Sequence, residues 1–202
     1  NSIRQLLYCA TDPKSIICPA VENATGKKAV KIPVDQHGFI DGAFLIARLD
    51  EGPALFSFVV VNNEIGTVQP CIEIARVVHE KGGLVHVDAS QAPCALDVAQ
   101  ISEVADFVSF SAHKMYGPKG IGALVFQREA RDMLRPIIQG GSQQDGLRAG
   151  TIPVPLCVGF AKAAELMVLD APERERIRGL RDLFWQELQS RYSFVALNGA
   201  PL

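Results

Sequence analysis

The stretch Phe107-Val108-Ser109-Phe110-Ser111-Ala112-His113-Lys114, followed at once by Met115-Tyr116-Gly117-Pro118-Lys119-Gly120-Ile121-Gly122, decides how this chain is read. An apolar run closes on a serine, a histidine and a lysine, and then on a glycine-rich turn. That pattern sets one lysine at the mouth of a strand, with hydroxyl and imidazole donors on one side and close-approach backbone on the other. Beside apolar strand residues the neutral, nucleophilic form of an amine becomes available, and it can form a Schiff base with an aldehyde cofactor. A lone lysine at a strand end more often snorkels into solvent. Here Ser111, His113 and the Gly117, Gly120, Gly122 series add the donors and bare backbone that an anionic phosphate wants.

Working outward, Leu84-Val85-His86-Val87 ends in Asp88, with Gln91 three residues on, and Phe56 to Val61 ends in Asn62-Asn63-Glu64. Three apolar runs thus deliver polar residues at their carboxyl ends, which is where open α/β sheets bind ligands. Asp88 can hydrogen-bond a pyridinium nitrogen and keep such a ring protonated as an electron sink, or it can cap a helix, since Asp88 to Gln91 has capping-box spacing. His86 shares the Asp88 face and either lines the site or fills core, with core preferred. Asn63 is balanced between binding a cofactor hydroxyl or substrate carboxylate and ordinary turn chemistry. Gly140 to Thr151 is too glycine-rich and polar for core. Its Arg148 and Thr151 can hold a phosphate or carboxylate, or simply belong to a flexible surface loop.

Alternation along the chain predicts the architecture. Lys28 to Val34 reads as a half-buried strand, Asp41 to Leu49 as a helix, and Leu55 to Val61 as a strand buried on both faces. Pro70 opens a helix over Cys71 to Lys81, stopped by Gly82-Gly83. Strands follow at Leu84 to Val87 and Phe107 to Phe110, with a short segment around Ile101 to Val104 between them. Ile121 to Phe126 reads as a strand that turns antiparallel, because the connection from Phe110 is too short for a crossover helix. Leu156 to Leu169 and Pro172 to Tyr192 read as long helices, and Phe194 to Leu197 as the start of a strand of another domain. The expected fold is α/β, a mainly parallel sheet covered by helices on both faces.

Composition narrows the function classes. The 202 residues are 48% hydrophobic and 21% charged, with a formal charge of −2, a globular balance without a basic stripe for nucleic acid. No run approaches the ~18 apolar residues that cross a bilayer, and the Asn1-Ser2-Ile3-Arg4-Gln5 start lacks the build of a signal peptide. A cytoplasmic or otherwise reducing compartment is expected. The five cysteines, Cys9, Cys18, Cys71, Cys94 and Cys157, form no Cys-x-x-Cys pair and read as neither a metal site nor a disulfide framework. The turn-like Asn198-Gly199-Ala200-Pro201-Leu202 ending suggests a piece of something longer.

Four motifs in order, Val61 to Pro70, His86 to Gln91, Ser111 to Gly122 and Gly146 to Thr151, resemble the cysteine desulfurases, pyridoxal-phosphate enzymes of the class V aminotransferase group. The likeness runs from about Ile16 to the end. It covers the middle of a family protein roughly twice this length. It implies the cofactor-binding large domain of such an enzyme, incomplete, over 1–155, with 156–202 a helical connection towards a small domain. It also implies pyridoxal 5'-phosphate joined to Lys114, with Asp88 at the pyridine nitrogen, Gln91 at the ring hydroxyl, and Ser111 and His113 at the phosphate. Asn63 faces the ring hydroxyl and substrate carboxylate. Thr151 matches a residue that reaches the phosphate of the neighbouring subunit in family homodimers. The full-length activity implied is conversion of L-cysteine to L-alanine, with sulfur passed as an enzyme persulfide to an acceptor or scaffold protein, as in iron–sulfur cluster assembly. Selenocysteine lyase, another class V lyase or aminotransferase, or a non-catalytic scaffold of the same fold are the rival implications.

Departures from the family pattern matter equally. The family's Glu-His-x-Ala-Val motif, whose histidine stacks on the cofactor ring, is matched to Ile17-Cys18-Pro19-Ala20-Val21, which puts Cys18 at the stacking position. Asp145 stands where the glycine-rich loop carries a basic residue, and Ser142 where it carries a glycine. The family's amino-terminal segment with its phosphate-binding threonine, and the small domain with the sulfur-accepting cysteine, have no counterpart in these residues. The 202 residues alone are therefore expected to lack desulfurase activity.

Overall fold

In a computed structural model, residues 3–24, 26–168 and 171–201 are described; Asn1, Ser2, Leu202 and Leu169, the expected end of the first long helix, lie outside them. The strands are β1 (Gln5–Cys9), β2 (Lys28–Ile32), β3 (Ala54–Val59), β4 (Leu84–Asp88), β5 (Phe107–Ser111) and β6 (Gly122–Phe126). They form one six-stranded sheet in the order β2-β1-β3-β4-β5-β6. All neighbours are parallel except β5 and β6, which pair antiparallel from Phe107 against Phe126 to Ser111 against Gly122. The short turn after Phe110 leaves no length for a crossover, so the strand reverses as expected.

Helices α1 (Lys14–Glu22), α2 (Gly42–Leu49), α3 (Cys71–Glu80) and α4 (Ala99–Val104) connect the parallel strands. Each strand of the centre alternates in burial, and its fully buried positions define the core face. Leu7, Ile32, Phe56, Phe58, Val85, Val87 and Val108 pack there with Leu45 and Leu49 of α2, Ile74, Ala75 and Val78 of α3, and Ile101 of α4. Asp41 caps α2 by accepting from the Phe44 amide, and Gly82 takes φ +70 as α3 ends. Gly83 has to be glycine because a Cβ would sit 2.7 Å from the Ala54 carbonyl.

The chain moves one way from β1 to β2 and the other way from β2 through β5. Right-handed crossovers therefore put α2, α3 and α4 on one face and α1 on the opposite one. Ile16 and Ala20 of α1 are buried yet stand outside the core of α2–α4, as that placement requires. Helices thus flank both faces unequally. The second face carries Ser57, His86, Asp88, Ser109 and Ser111 and is only half-buried.

Two elements, β1 and α1, were not expected from sequence, and one expected element is absent. Phe194–Leu197 forms no strand: Ser193 and Phe194 turn, and the following residues run irregularly back to Gly199, whose carbonyl meets His37 Nδ1 at 3.2 Å. Helices α5 (Val154–Val168) and α6 (Ala171–Arg191) complete the chain. α6 leaves Ile177, Leu180, Leu183 and Phe184 about half exposed or more on a helical stripe. Truncating Phe58, whose ring is fully buried 5.0 Å from that of Phe56, will cost about 3–5 kcal/mol of stability in urea unfolding of Phe58→Ala. A loss under about 1 kcal/mol would place the core elsewhere.

Candidate functional site

Strand order reverses between β1 and β3, so the loops leaving those strands part and open a crevice at the carboxyl edge of the sheet. Asp12, just beyond β1, closes the floor of that crevice. Its Oδ2 accepts from the Cys9 amide, and its Oδ1 accepts from the Val59 amide at 2.9 Å. Asn62 reaches back from β3, donating to the Thr11 carbonyl at 2.8 Å and accepting from the Glu64 and Ile65 amides. Burial pushes the Asp12 carboxyl up from its ordinary 3.8 to about 7; the two amide donors oppose this, and repulsion from Asp88 adds to it. Sequence reading missed Asp12. The signal was present, since Leu6-Leu7-Tyr8 is another apolar run ending in polar residues.

Asp88 ends β4 one strand further on, in register with Val59 of β3 and Ser109 of β5. Its Oδ1 accepts from the Ser90 amide at 2.9 Å, the turn expected of a carboxylate after a strand. Below it on the same face, His86 bridges the two neighbouring strands through Ser57 Oγ at Nδ1 (2.7 Å) and Ser109 Oγ at Nε2 (3.2 Å). His86 is thus tied into a polar row and does not fill the apolar core. Burial lowers its pKa, although the Asp88 charge works against that. Ser90 and Ser111 meet through their hydroxyls at 3.4 Å, joining the loop after β4 to the end of β5.

Lys114 sits in a single 3-10 turn, Ala112–Lys114, directly after β5. The Met115 and Gly117 amides both return to the Ala112 carbonyl, and Cys94 Sγ donates to the Lys114 carbonyl at 3.2 Å. A Cβ at Gly117 would lie 2.8 Å from that Ala112 oxygen, so the turn can close only on glycine. Met115 is buried as the anchor of the turn, while His113 and Lys114 are exposed at its rim. Tyr116, held at φ +61, is 85% exposed. Gln91 is half-buried in the loop after β4, and Asn63 is exposed in the loop after β3.

Six of the residues singled out from sequence, Asn63, Asp88, Gln91, Ser111, His113 and Lys114, therefore lie at the carboxyl ends of three adjacent parallel strands. Thr151 stands apart, exposed in a loop that is tied instead to Ile138 through the Ala149 amide and to Arg131 through the Asp145 carbonyl. Gln144 and Asp145 in that loop both adopt left-handed backbone, φ +51 and +54. The donor set at the sheet edge, an amine, a carboxylate with one oxygen engaged, paired serine hydroxyls and a bare-backbone turn, fits an anionic aldehyde with a basic ring nitrogen.

The class-V aminotransferase family model matches residues 2–199. This chain belongs to the class-V aminotransferase family. It is 36% identical to cysteine desulfurase IscS of Ehrlichia chaffeensis and 40% identical to that of Rickettsia massiliae, over 98% of its own length and 49% of theirs. It spans about half the length of these curated relatives. Among solved structures it superposes on a NifS-like protein with a TM-score of 0.87 at 34% identity, covering 93% of this chain and 52% of that one. A second, SspA in complex with cysteine, gives 0.69 at 34% identity over 82% and 48%. Class-V aminotransferases and cysteine desulfurases depend on pyridoxal phosphate.

Cys18, matched from sequence to the family's stacking histidine, is exposed in the middle of α1, a full helical turn beyond the start of that helix. The acidic residue at the strand end is Asp12, and Pro13 follows it as the residue preceding α1. Among the described residues no helix is long and apolar enough to cross a membrane.

Asp12→Asn keeps one acceptor but turns an NH2 donor toward a backbone amide, and will destabilise the chain by about 1–3 kcal/mol. The wild-type carboxyl keeps its proton to about pH 7 when folded but releases it near 3.8 when unfolded, so this group's contribution makes stability fall between those pH values. Urea midpoints across that window will show a decline that Asp12→Asn flattens; equal slopes in both proteins would refute the burial of this acid.

Proposed function

We propose that this chain is the pyridoxal-phosphate-binding large domain, over 1–155, of a cysteine desulfurase-like enzyme, with 156–202 leading towards a small domain. The observation that carries it is the convergence of Asp88, Ser111 and Lys114 on one sheet edge, at the ends of adjacent parallel strands. Lys114 would carry the aldehyde, held on a turn that Met115 anchors and Gly117 closes. Asp88 would offer its free oxygen to the ring nitrogen, Gln91 would meet the ring hydroxyl, and Ser111 and His113 would hold the phosphate. Asn63 would face the ring hydroxyl and the carboxylate of L-cysteine. When bound, the cofactor supplies an electron sink for the bond broken at the substrate. Lys114 and His113, adjacent and exposed on the turn after β5, would be the groups that move a proton there.

The half-length match and the uncovered apolar stripe of α6 support a further domain packing on that helix. Thr151, exposed in the loop before α5, suits a homodimer in which it reaches the neighbour's phosphate. Sulfur transfer needs an accessible thiolate, and none of the five cysteines lies in a motif matching the family's sulfur-accepting loop. Cys71 is buried with its thiol pushed up to about 11, the buried Cys9 thiol is raised too, and Cys18 points from an outer helix. The complete enzyme would pass sulfur to an acceptor protein, in a reducing compartment, and a selenocysteine lyase would share every residue named so far.

Pyridoxal phosphate mixed with the purified chain will give a yellow band that borohydride removes, and peptide mapping will find the reduced label on Lys114. Lys114→Ala will remove the label, and a label scattered over surface lysines would support a non-catalytic scaffold instead. Asp88→Asn gives up a charge-assisted bond and will weaken cofactor binding about 10- to 100-fold. With Asp12-Pro13 beyond β1 taken as the counterpart of the family's Glu-His, Pro13→His will tighten binding, whereas Cys18→His will leave it unchanged; the reverse order would favour the match to Cys18. Residues 1–202 will release neither sulfide nor alanine from L-cysteine, and release of either would show that a thiolate of this chain suffices.

A further inference from the structure

The polar row beneath Asp88 has no part in the assignments above. Ser57 of β3, His86 of β4 and Ser109 of β5 are joined across three neighbouring strands, Oγ to Nδ1 at 2.7 Å and Nε2 to Oγ at 3.2 Å. Such a row is unusual inside a parallel sheet, where central strands ordinarily present apolar side chains on both faces. It costs hydrophobic burial at three positions, and both imidazole nitrogens are nonetheless satisfied. The alternation of β4 places His86 and Asp88 on one face, two residues apart. The backbone around Asp88 is pinned from both sides, its carbonyl accepting from the Val60 amide while the next amide, of Ala89, donates to the Ser109 carbonyl. Ser109 thus touches both His86, by its side chain, and the β4 end, by its carbonyl.

Resting on the cofactor assignment above, we infer that His86 is the positioning residue for Asp88: clamped between Ser57 and Ser109, it fixes the level of the β3, β4 and β5 ends and presents the carboxylate to a ring nitrogen. The mechanism has two parts. The cross-strand bonds resist sliding of β4 between its neighbours, so the distance from Asp88 to the Ser111–Lys114 segment is set by side chains as well as by the ladder. The imidazole also stays uncharged beneath the carboxylate, because burial disfavours its cation; an imidazolium there would compete with the ring nitrogen for the same negative charge. The charged and titratable groups around the row are Asp88 on its own strand, Asp12 from the β1–α1 turn, which feels Asp88, and Tyr8 of β1, in register with Ser57. None of these is a cation.

The test compares pyridoxal phosphate binding to the chain and to His86→Phe, Ser57→Ala and Ser109→Ala, with urea midpoints recorded for each. Losing both bonds at His86→Phe is expected to weaken the cofactor roughly tenfold, and Ser57→Ala a fewfold, since each net hydrogen bond is worth about a factor of five. Ser109→Ala, removing the longer bond, should do least. The pH midpoint of the visible band should also move upward, because a ring nitrogen that loses its carboxylate is less cationic and no longer repels the proton on the lysine nitrogen. His86→Gln, which keeps one side-chain amide bond, should recover part of both effects. Affinities and midpoints equal to those of the parent overturn the proposal, and so does a loss of affinity that merely follows loss of folding stability with the band's midpoint unmoved. If His86→Phe does not fold, the two serine variants decide on the same readouts. A parent chain that gives no borohydride-reducible band overturns the cofactor assignment itself and takes this inference with it, an outcome distinct from a coloured parent with indifferent variants.

Discussion

The Asp12 carboxylate is the joint of this molecule. A parallel sheet whose connections run outward from an interior strand must part somewhere, and here it parts between β1 and β3, with no crossover helix spanning the seam at the carboxyl edge. One carboxylate takes an amide from each side of that seam, Cys9 and Val59, while Asn62 takes the Thr11 carbonyl from the other direction. The crevice is thereby given a fixed floor. Everything further along the edge, from Asp88 to the lysine turn, inherits its position from strands in register with β3.

That joint also sets the electrostatics. Asp12 and Asp88 sense one another, and the nearest nitrogen base, His86, is held by burial in the form that neutralises neither. Two carboxyls at this end of the site favour a positive partner at the sheet edge, while hydroxyls and bare amides gather around the lysine turn a strand away. A ring with a protonatable nitrogen at one end and a phosphate at the other matches that separation of charge. A bare surface loop would have no reason to sort its donors and acceptors this way.

Much of this was legible in the sequence, for physical reasons that differ by element. β3, β4 and β5 are buried on at least one face along their whole length, so each apolar run is interrupted at a single position, Ser57, His86 or Ser109, and ends abruptly in polar residues. β6 was legible as antiparallel because chain length alone forbids another crossover. β1 and α1 were not legible because the local signals conflict. Pro19 lies inside α1 where a proline ordinarily marks a break. With α1 overlooked, the family's Glu-His motif is laid on Ile17-Cys18, inside a helix, whereas the acidic residue just beyond β1 is Asp12, followed by Pro13. Phe194–Leu197 failed for the opposite reason: an apolar, β-branched tetrapeptide looks like a strand wherever it falls, but a strand needs a partner edge, and the described residues give it none.

The distribution of polarity across the sheet explains why stability and chemistry do not compete in this fold. On the face under α2, α3 and α4 the strands present Leu7, Phe56, Phe58, Val85, Val87 and Val108, all buried. On the other face the same strands present Ser57, His86, Asp88, Ser109 and Ser111, only half-buried, with Ser57, His86 and Ser109 bonded in a row and Asp88 and Ser111 each bonded to Ser90. Because strand side chains alternate, a substitution on the first face alters packing, and one on the second alters the polar row that leads to the crevice. His86 is the residue in which the alternation matters most: one position earlier or later along β4 it would be a buried imidazole among phenylalanines and valines, without hydroxyl partners. At position 86 it stands under Asp88, and the sheet carries its bonds sideways to both neighbours.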